Sequence, residues 1–375
     1  MNDSFTLGRI AGIRVGVNWS WIVVFALIVW TLSQSIFPRM NEGLSDATYL
    51  GMAIAAALLF FVSLLMHEYG HALVARREGM EIEGITLWLF GGVARFKGMF
   101  PSAGAEFRIA IAGPVVSLAL GCLFVLFAWL ARAPEAVDAV AAWLGYINLT
   151  LLVFNLLPAL PLDGGRVLRS ALWAARNDFA WATRIAAWVG RAFGYLFIAV
   201  GLGFLFFQGA FSGAWLAFIG WFLLQAAGAE DRYLLARQAL AGLRVRDLMV
   251  RDPVTARPDM TLGAFMDELV SQRRYTTYPV VEDGHAIGLL PFRCVAEVPR
   301  REWDTRLVRD CMIPRDRVPV VGETDDLIDA AAELASGDVN RALVLDGDML
   351  AGLLSATDVA RALQIRRLRG RPIPA

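Results

Sequence analysis

The first part of the chain is dominated by long apolar stretches that short polar segments separate. Because a helix needs about 20 apolar residues to cross a bilayer, each stretch is predicted to be a membrane-spanning helix. The fold class that follows is a multi-pass α-helical membrane protein with about six transmembrane helices. The predicted spans are 18–37, 50–75, 106–130, 138–158, 190–207 and 213–228.

Basic residues are distributed unevenly among the loops between these spans. Since arginine and lysine accumulate in cytoplasmic loops, the richer loops are predicted to be cytoplasmic, and both termini with them. The chain is therefore expected to be a multi-pass protein of the cell membrane. The two richer loops, 76–108 and 159–191, hold Arg76, Arg77, Arg95, Lys97, Arg108, Arg166, Arg169, Arg176, Arg184 and Arg191, whereas the opposite loops hold Arg39 and Arg132.

Composition agrees with a membrane protein. Hydrophobic residues, counted without glycine, make up 57% of the 375 residues. Soluble domains contain about 45–50% hydrophobic residues even when glycine is counted among them. The formal net charge is zero, so nothing points to nucleic acid as a partner. The three cysteines, Cys122, Cys294 and Cys311, are far apart, which favours neither a disulfide framework nor a thiolate metal site. The N-terminus lacks the pattern of a signal peptide.

After Gln225 the chain becomes polar, and a repeat follows. "VRDLM" at 245–249 recurs as "VRDCM" at 308–312, and each copy leads to a helix-period segment, at 262–272 and 326–336. Each copy ends in alternating apolar residues around an Asp-Gly turn, which predicts a pair of strands. Such a unit, with "YPVVEDGHAIGLL" and "GLLSATDVARAL", resembles the CBS domain, here as a tandem α/β pair. The predicted division is 1–228 for the transmembrane domain, 229–244 for a helical linker, 245–305 and 306–364 for the repeats, and 365–375 for a basic tail.

The second apolar stretch contains "HEYGH", which holds two of the three histidines of the chain. Four residues apart on a helix, His67 and His71 lie on one face and can reach one metal ion, while Glu68, roughly 100° around the helix, can reach a water molecule instead. Two imidazoles and a carboxylate base in this spacing are typical of a zinc hydrolase. The alternative is a chance string whose histidines are satisfied inside a helix bundle.

A third metal ligand is not part of this motif. The extended soluble pattern needs Gly and His at the positions of Val74 and Arg77, and residues 89–95 offer no carboxylate for the other soluble pattern. At membrane depth, Asp163 in "NLLPALPLDGGR" follows two prolines that interrupt the helix. Inside the membrane, non-helical backbone is tolerated only where protein or a water-filled cavity covers it. The alternative is a helix-ending turn with a solvated aspartate.

Together, "HEYGH" and "NLLPALPLDGG" resemble the site-2 protease family of intramembrane zinc metalloproteases, in its bacterial subgroup with C-terminal CBS domains. The resemblance implies that His67, His71 and Asp163 bind one Zn²⁺, that Glu68 is the catalytic base and that the substrate is a transmembrane protein. It also implies that Asn155 lines the active site and positions the scissile carbonyl or its oxyanion. "IAGPVVSLAL" (111–120) resembles a further family segment, although Ser117 stands where Asn is expected.

The segment 82–98, "IEGITLWLFGGVARFKG", is predicted to form two short strands about Gly91-Gly92. Such a pair, directly after the "HEYGH" helix, could offer an edge to which an extended substrate adds as a strand. The alternative is an interfacial hairpin that only packs against the helices. The family resemblance favours substrate binding.

The second CBS repeat contains "SATD" at the start of a helix. The resemblance to ligand-binding CBS domains implies that Ser355, Thr357 and Asp358 contact the ribose and phosphate of an adenine nucleotide. A capping box explains the same residues without a ligand. The first repeat has Pro291 and Cys294 at the matching positions, so the pair offers at most one conventional site. The CBS pair could also support a homo-oligomer.

Three classes of function are consistent with these patterns. A regulated intramembrane protease is favoured, since both motifs are intact. A CBS-regulated membrane transporter would be expected to carry ionisable residues along several spans, whereas here they gather in two. An inactive membrane scaffold would not need His67, Glu68, His71 and Asp163 together.

Overall fold

A computed structural model describes residues 5–88, 91–96, 98–131, 133–208, 212–271, 275–337 and 339–368. The described chain divides into two units, Met1–Arg232 and Tyr233–Ala375. Lys97 and Arg132, on which part of the orientation argument rests, lie outside the described residues, as does most of the predicted basic tail. The domain boundaries given above stay predictions.

The first unit is built on long apolar helices. Among the described residues, six helices are long and apolar enough to cross a membrane, which confirms the predicted fold class. The first span, Ser20–Met40, consists of α1 (Ser20–Thr31), a π-helical turn (Leu32–Ile36) and α2 (Phe37–Met40). The other five are α3 (Asp46–Arg77), α4 (Ala103–Leu130), α5 (Glu135–Asn155), α7 (Phe179–Gln208) and α8 (Ser212–Leu240).

The last two spans differ in length from their predictions. Helix α7 begins at Phe179 rather than at residue 190, so Arg184 and Arg191 belong to a helix and not to a loop. Helix α8 continues to Leu240, past the end at 228 predicted for the span, and so includes most of the segment 229–244 that was predicted to be a helical linker. The polar residues of that segment are helix formers. Between α5 and α7 lies a short amphipathic helix, α6 (Asp163–Arg176), whose first residue is the candidate ligand Asp163.

A four-stranded sheet accompanies the helices of the first unit. It consists of β1 (Phe5–Ile10), β2 (Ile13–Val17), β3 (Ile82–Trp88) and β4 (Gly91–Phe96), in that order. The predicted strand pair of 82–98 is present, but Gly91 and Gly92 do not lie between the strands: they belong to β4, where Gly91 pairs with Trp88 and Gly92 with Leu87. The hairpin β1–β2 was not predicted, and β2 joins β3 in parallel.

Helices α4 and α5 pack closely because glycines of each helix receive side chains of the other. A Cβ at Gly121 of α4 would come within 2.8 Å of Leu149 of α5, and one at Gly145 of α5 within 2.6 Å of Val125 of α4. Membrane helices associate through such close contacts, since lipid gives little hydrophobic driving force.

At the end of α3, Arg108 of α4 donates hydrogen bonds of 2.7 and 2.8 Å to Glu78, which lower the pKa of that carboxyl.

The second unit contains two repeats that share a sheet. Its main path runs β6 (Thr277–Glu282), β7 (His285–Pro291), β11 (Met349–Ser355), β10 (Arg341–Asp346) and β9 (Val320–Gly322). Two short strands, β5 (Val250–Arg251) and β8 (Ile313–Pro314), pair with β11 and β7. The helices are α9 (Leu262–Phe265), α10 (Phe292–Ala296), α11 (Val308–Cys311), α12 (Leu327–Ser336) and α13 (Ala356–Leu368).

The predicted hairpins of both repeats are present. In the first, Asp283 and Gly284 have φ of 50° and 83° and join β6 to β7, as expected of an Asp-Gly turn between strands. In the second, Gly347, at φ 61°, lies in the connection from β10 to β11. Two apolar clusters are buried, one around Phe265 and Tyr278 and one around Leu327 and Val344. The repeats exchange their first segments between the clusters, since Val308 packs in the former and Val245 in the latter. The α/β tandem architecture is confirmed.

Candidate metal centre

Three side chains from two helices converge inside the first unit. The Nε2 atoms of His67 and His71 lie 3.2 Å apart, and each lies 3.2 Å from Oδ2 of Asp163. All three residues are buried, with 2%, 4% and 8% of their surfaces exposed. The two histidines come from α3 with the predicted helical spacing, and Asp163 comes from the start of α6. The structure therefore brings together the three predicted ligands.

Helix α4 orients both imidazole rings. Nδ1 of His71 lies 2.7 Å from the carbonyl oxygen of Ile109, and since a carbonyl only accepts, Nδ1 must be the donor. In the neutral ring, Nε2 is then unprotonated and free to bind a metal. Nδ1 of His67 shares a 2.8 Å hydrogen bond with Oγ of Ser117, a fully buried residue. Ser117 thus supports His67, although an asparagine was expected at this position.

Between these two contacts, α4 presents bare backbone to the rings. A Cβ at residue 113 would overlap Nε2 of both His71 and His67, so only glycine fits there. The imidazoles therefore pack directly on the helix. This contact fixes both the depth of the rings and the direction of their Nε2 atoms.

Asp163 is placed by close backbone packing at the start of α6. A Cβ at Gly164 would overlap the carbonyls of Leu156 and Leu157, and one at Gly165 would overlap the backbone of Ala159 and Leu160. The two glycines that follow the aspartate thus let the helix begin against the preceding loop. That contact turns the carboxylate toward the histidines.

Glu68 lies beside the cluster and is half-buried. Its side chain contacts strand β4, because a Cβ at Gly92 would come within 2.9 Å of Glu68 Cδ and within 3.0 Å of Oε1. The carboxylate therefore lies between the histidine helix and the last strand of the sheet. This position is suitable for a base that acts on a molecule held between them.

The donor set fits zinc. A tetrahedral site with bonds of about 2.0–2.1 Å has ligand–ligand edges of about 3.3 Å, close to the three observed separations. Two imidazole nitrogens and one carboxylate oxygen leave a fourth position open, as in catalytic rather than structural sites. Among the described residues, this is the only group of His, Cys, Asp or Glu side chains close enough to hold a metal.

The other predicted site residues lie elsewhere. Asn155 is the half-buried last residue of α5, and its role stays a prediction. In the second unit, Ser355 precedes α13; its Oγ accepts a 3.1 Å hydrogen bond from the Asp358 amide and lies 2.5 Å from the Asp358 carboxylate. Thr357 is exposed on the first turn of that helix. The capping geometry is present, and a nucleotide role for these residues stays a prediction.

Two contacts of this site were missed from the sequence. The carbonyl of Ile109 belongs to the backbone, so no residue type marks it. The absence of a side chain at Gly113 had a visible signal, the Gly-Pro of "IAGPVVSLAL", but the sequence did not say what the glycine would face. Both contacts depend on how α3 packs on α4.

Comparison with known proteins gives an independent line of evidence. The model of "Peptidase family M50" matches residues 55–132 and 131–197, and the model of "CBS domain" matches residues 245–299 and 308–365. A solved structure, the site-2 protease from Methanocaldococcus jannaschii, covers 61% of this chain and 95% of its own, with 29% identity and a TM-score of 0.42.

Two curated relatives match over nearly their whole length. "Putative zinc metalloprotease Rip3" of Mycobacterium tuberculosis is 40% identical, and the match covers 98% of this chain and 95% of the relative. Zinc metalloprotease MJ0392 of Methanocaldococcus jannaschii is 31% identical over 98% of both chains. Because these zinc metalloproteases match nearly the whole chain, and because the M50 and CBS models match its two parts, the protein belongs to peptidase family M50, the site-2 protease family of membrane zinc metalloproteases, and carries C-terminal tandem CBS domains.

Proposed function

We propose that this chain binds one zinc ion through His67, His71 and Asp163 and cleaves transmembrane protein substrates within or next to the bilayer. The observation that carries the proposal is the convergence of three buried donor atoms, each 3.2 Å from the other two, with Glu68 beside them. The site lies on α3, a helix long and apolar enough to span the membrane. The bond that is cut must therefore reach a buried position.

Each residue has a distinct part in the hydrolysis. Zinc, when bound, would lower the pKa of a water molecule so that hydroxide is available near neutral pH, and it would stabilise the negative charge that develops on the carbonyl oxygen. Glu68 accepts the proton of the attacking water and then delivers it to the leaving amine. Asn155, at the end of α5, is proposed to hold the scissile carbonyl through its amide. Ser117 and Ile109 keep the two imidazoles oriented.

The substrate is proposed to add as a strand to β4. A transmembrane helix hides its amides in hydrogen bonds, so the segment that is cut must become extended first. Among the described residues, β4 pairs with β3 on one side, and it is the last strand of the sheet order. An extended segment paired along β4 would pass Gly92, and hence the carboxylate of Glu68.

The test is a comparison of membrane proteomes from cells with the wild-type chain and with Glu68→Gln. Membrane proteins are expected to accumulate uncut in the variant strain, and a photoreactive residue in place of exposed Val93 of β4 should cross-link to the same proteins. Identical proteomes would instead support the scaffold alternative. If the chain is instead a transporter, the two strains should differ in the content of a solute and not in the lengths of their membrane proteins.

Both termini are proposed to be cytoplasmic, on the basis of the basic residues in the loops. Ser45 and Ser102 offer a matched pair, since each is exposed and caps the start of a spanning helix. In a chain without its native cysteines, a cysteine at 45 should react with an impermeant reagent outside intact cells, and one at 102 should not. The reverse pattern would invert the topology.

The CBS pair is proposed to bind one adenine nucleotide at Ser355, Thr357 and Asp358 and thereby to modulate cleavage. The second repeat supports this because Thr357 is exposed at a helix start that directly follows β11. A ligand can change activity only through different affinities for the active and inactive arrangements. Self-association through the same pair stays a prediction.

Thr357→Ala separates nucleotide binding from helix capping. The helix cap is formed by Ser355 and Asp358, and the Thr357 side chain takes no part in it. Thr357→Ala should therefore abolish the heat of binding measured by calorimetry with ATP, ADP or AMP and leave thermal stability unchanged. Ser355→Ala should remove the heat and also cost about 1 kcal/mol of stability through the lost cap. If the wild-type chain gives no heat at millimolar nucleotide, the pair is a docking or dimerisation module.

A further inference from the structure

A buried ion pair joins α4 to α6 on the side of the metal centre where α3 ends. Nε of Arg169 donates a 2.7 Å hydrogen bond to Oε1 of Glu106, and Nη2 lies 2.5 Å from the same oxygen. Glu106 is fully buried, and Arg169 is 4% exposed. Among the described residues, Oε2 of Glu106 has no hydrogen-bond partner, so this carboxylate depends on Arg169.

The guanidinium is held from several sides. It lies 5.0 Å from the ring centre of Phe179 and 5.9 Å from that of Phe100, and Nη1 donates a longer hydrogen bond of 3.4 Å to Glu230 of α8. Burying such a pair costs much of the attraction that it gains, so its presence is weak evidence for a contribution to stability. Its value is geometric, because the planar fork fixes direction as well as distance.

The position of Glu106 on α4 relates this pair to the metal centre. Glu106, Ile109, Gly113 and Ser117 follow one another at spacings of three and four residues, so they share one face of the helix. Ile109 orients His71, Gly113 receives both rings and Ser117 orients His67. The first residue of this face, Glu106, contacts the helix that carries Asp163.

We propose that Arg169 is a positioning residue for the third metal ligand: through Glu106 it sets α6, and with it Asp163, against the same face of α4 that orients the two histidines. One helix then aligns all three donors. The inference rests on the proposed ligand set of His67, His71 and Asp163. It assigns to Arg169 a role through α6 and no contact with the metal.

The rival explanation is that the backbone packing of Gly164 and Gly165 places Asp163 without help. In that case the ion pair would only stabilise the bundle. The two explanations differ in what happens to the metal when the ion pair is removed from a chain that still folds. Arg176 gives a matched control, because it is an exposed arginine of the same helix, stacked 4.2 Å from the ring centre of Trp181.

The experiment measures metal alone, with purified full-length Arg169→Met, Arg169→Lys, Glu106→Gln, Arg176→Met and Asp163→Asn. Arg169→Met is expected to weaken zinc affinity by about 10- to 100-fold, the usual loss when a residue that orients a ligand is removed. The visible spectrum of bound Co²⁺ should change, since it reports the donor geometry. Arg169→Lys should recover part of the affinity, and Arg176→Met should match the wild type in both readouts.

The outcomes distinguish the inference from the function on which it rests. Wild-type zinc affinity and Co²⁺ spectrum in Arg169→Met, with zinc lost in Asp163→Asn, would overturn the positioning role and leave the ligand set intact. Normal zinc in Asp163→Asn would overturn the ligand set itself. If Arg169→Met does not fold, Arg169→Lys and Glu106→Gln decide: an altered Co²⁺ spectrum supports the role, and an unaltered one refutes it.

Discussion

Purified Glu68→Gln protein is expected to retain about one zinc per chain, the content of a site with all its protein ligands, and to have lost cleavage. Glutamine has nearly the shape of glutamate, so the contact with Gly92 and the positions of His67 and His71 should persist. What disappears is the ability to accept a proton from the attacking water. Loss of a general base typically costs a factor of about 10² to 10⁴ in rate.

The measurement is zinc content together with cleavage of a protein that accumulates in the Glu68→Gln strain. Glu83→Gln is the matched control, because it makes the same change at an exposed glutamate of the neighbouring sheet. That control should cut at the wild-type rate. Robust cleavage by Glu68→Gln would mean that the base lies elsewhere, whereas loss of zinc would mean that Glu68 is a ligand.

Asp163→Asn should lose both cleavage and zinc. The carboxylate Oδ2 lies 3.2 Å from each imidazole Nε2, and a neutral amide is a poor substitute for a charged oxygen donor. We expect zinc affinity to fall by more than about 100-fold. That figure is the upper end of the loss seen when a residue that is hydrogen-bonded to a metal ligand is removed and the ligand itself is kept. Zinc titration of the metal-free variant measures this directly.

Asp46→Asn controls for the charge and for the helix position. Asp46 is also the first residue of a helix, but it is exposed at the opposite end of α3 from the histidines. Its substitution should leave zinc binding and cleavage unchanged. If Asp163→Asn kept normal zinc content and turnover, the third ligand would have to be another residue, and the convergence at 3.2 Å would need a different explanation.

Much of this architecture could be predicted because it follows from local patterns. The six spans are visible in continuous apolar runs, and His67 and His71 share a helix face by spacing alone. The tandem repeat was found through its duplicated motif and its Asp-Gly turn. These features need only the residues of one segment and the geometry of one element.

The rest depends on contacts between distant segments. Nothing in residues 5–17 indicates that β2 pairs in parallel with β3, since its partner lies beyond two spans. Glu106 and Arg169 are each visible as charges, but that they pair depends on how α4 packs against α6. Ionisable residues at membrane depth usually do have such partners, which is the one signal that the sequence offered.

The contact of the imidazoles with Gly113 also bears on when the ligands become ordered. Because the rings lie on bare backbone and each Nδ1 is engaged, their rotational freedom is lost when the helices assemble rather than when metal arrives. The site is in this sense preorganised, unlike a small domain that folds only around its ion. A metal ion bound there would then stabilise the protein by mass action alone, and the stabilisation would grow with the logarithm of the ratio of metal concentration to dissociation constant. We therefore expect a chelator to remove the metal without unfolding the bundle, and the same chain to bind metal again.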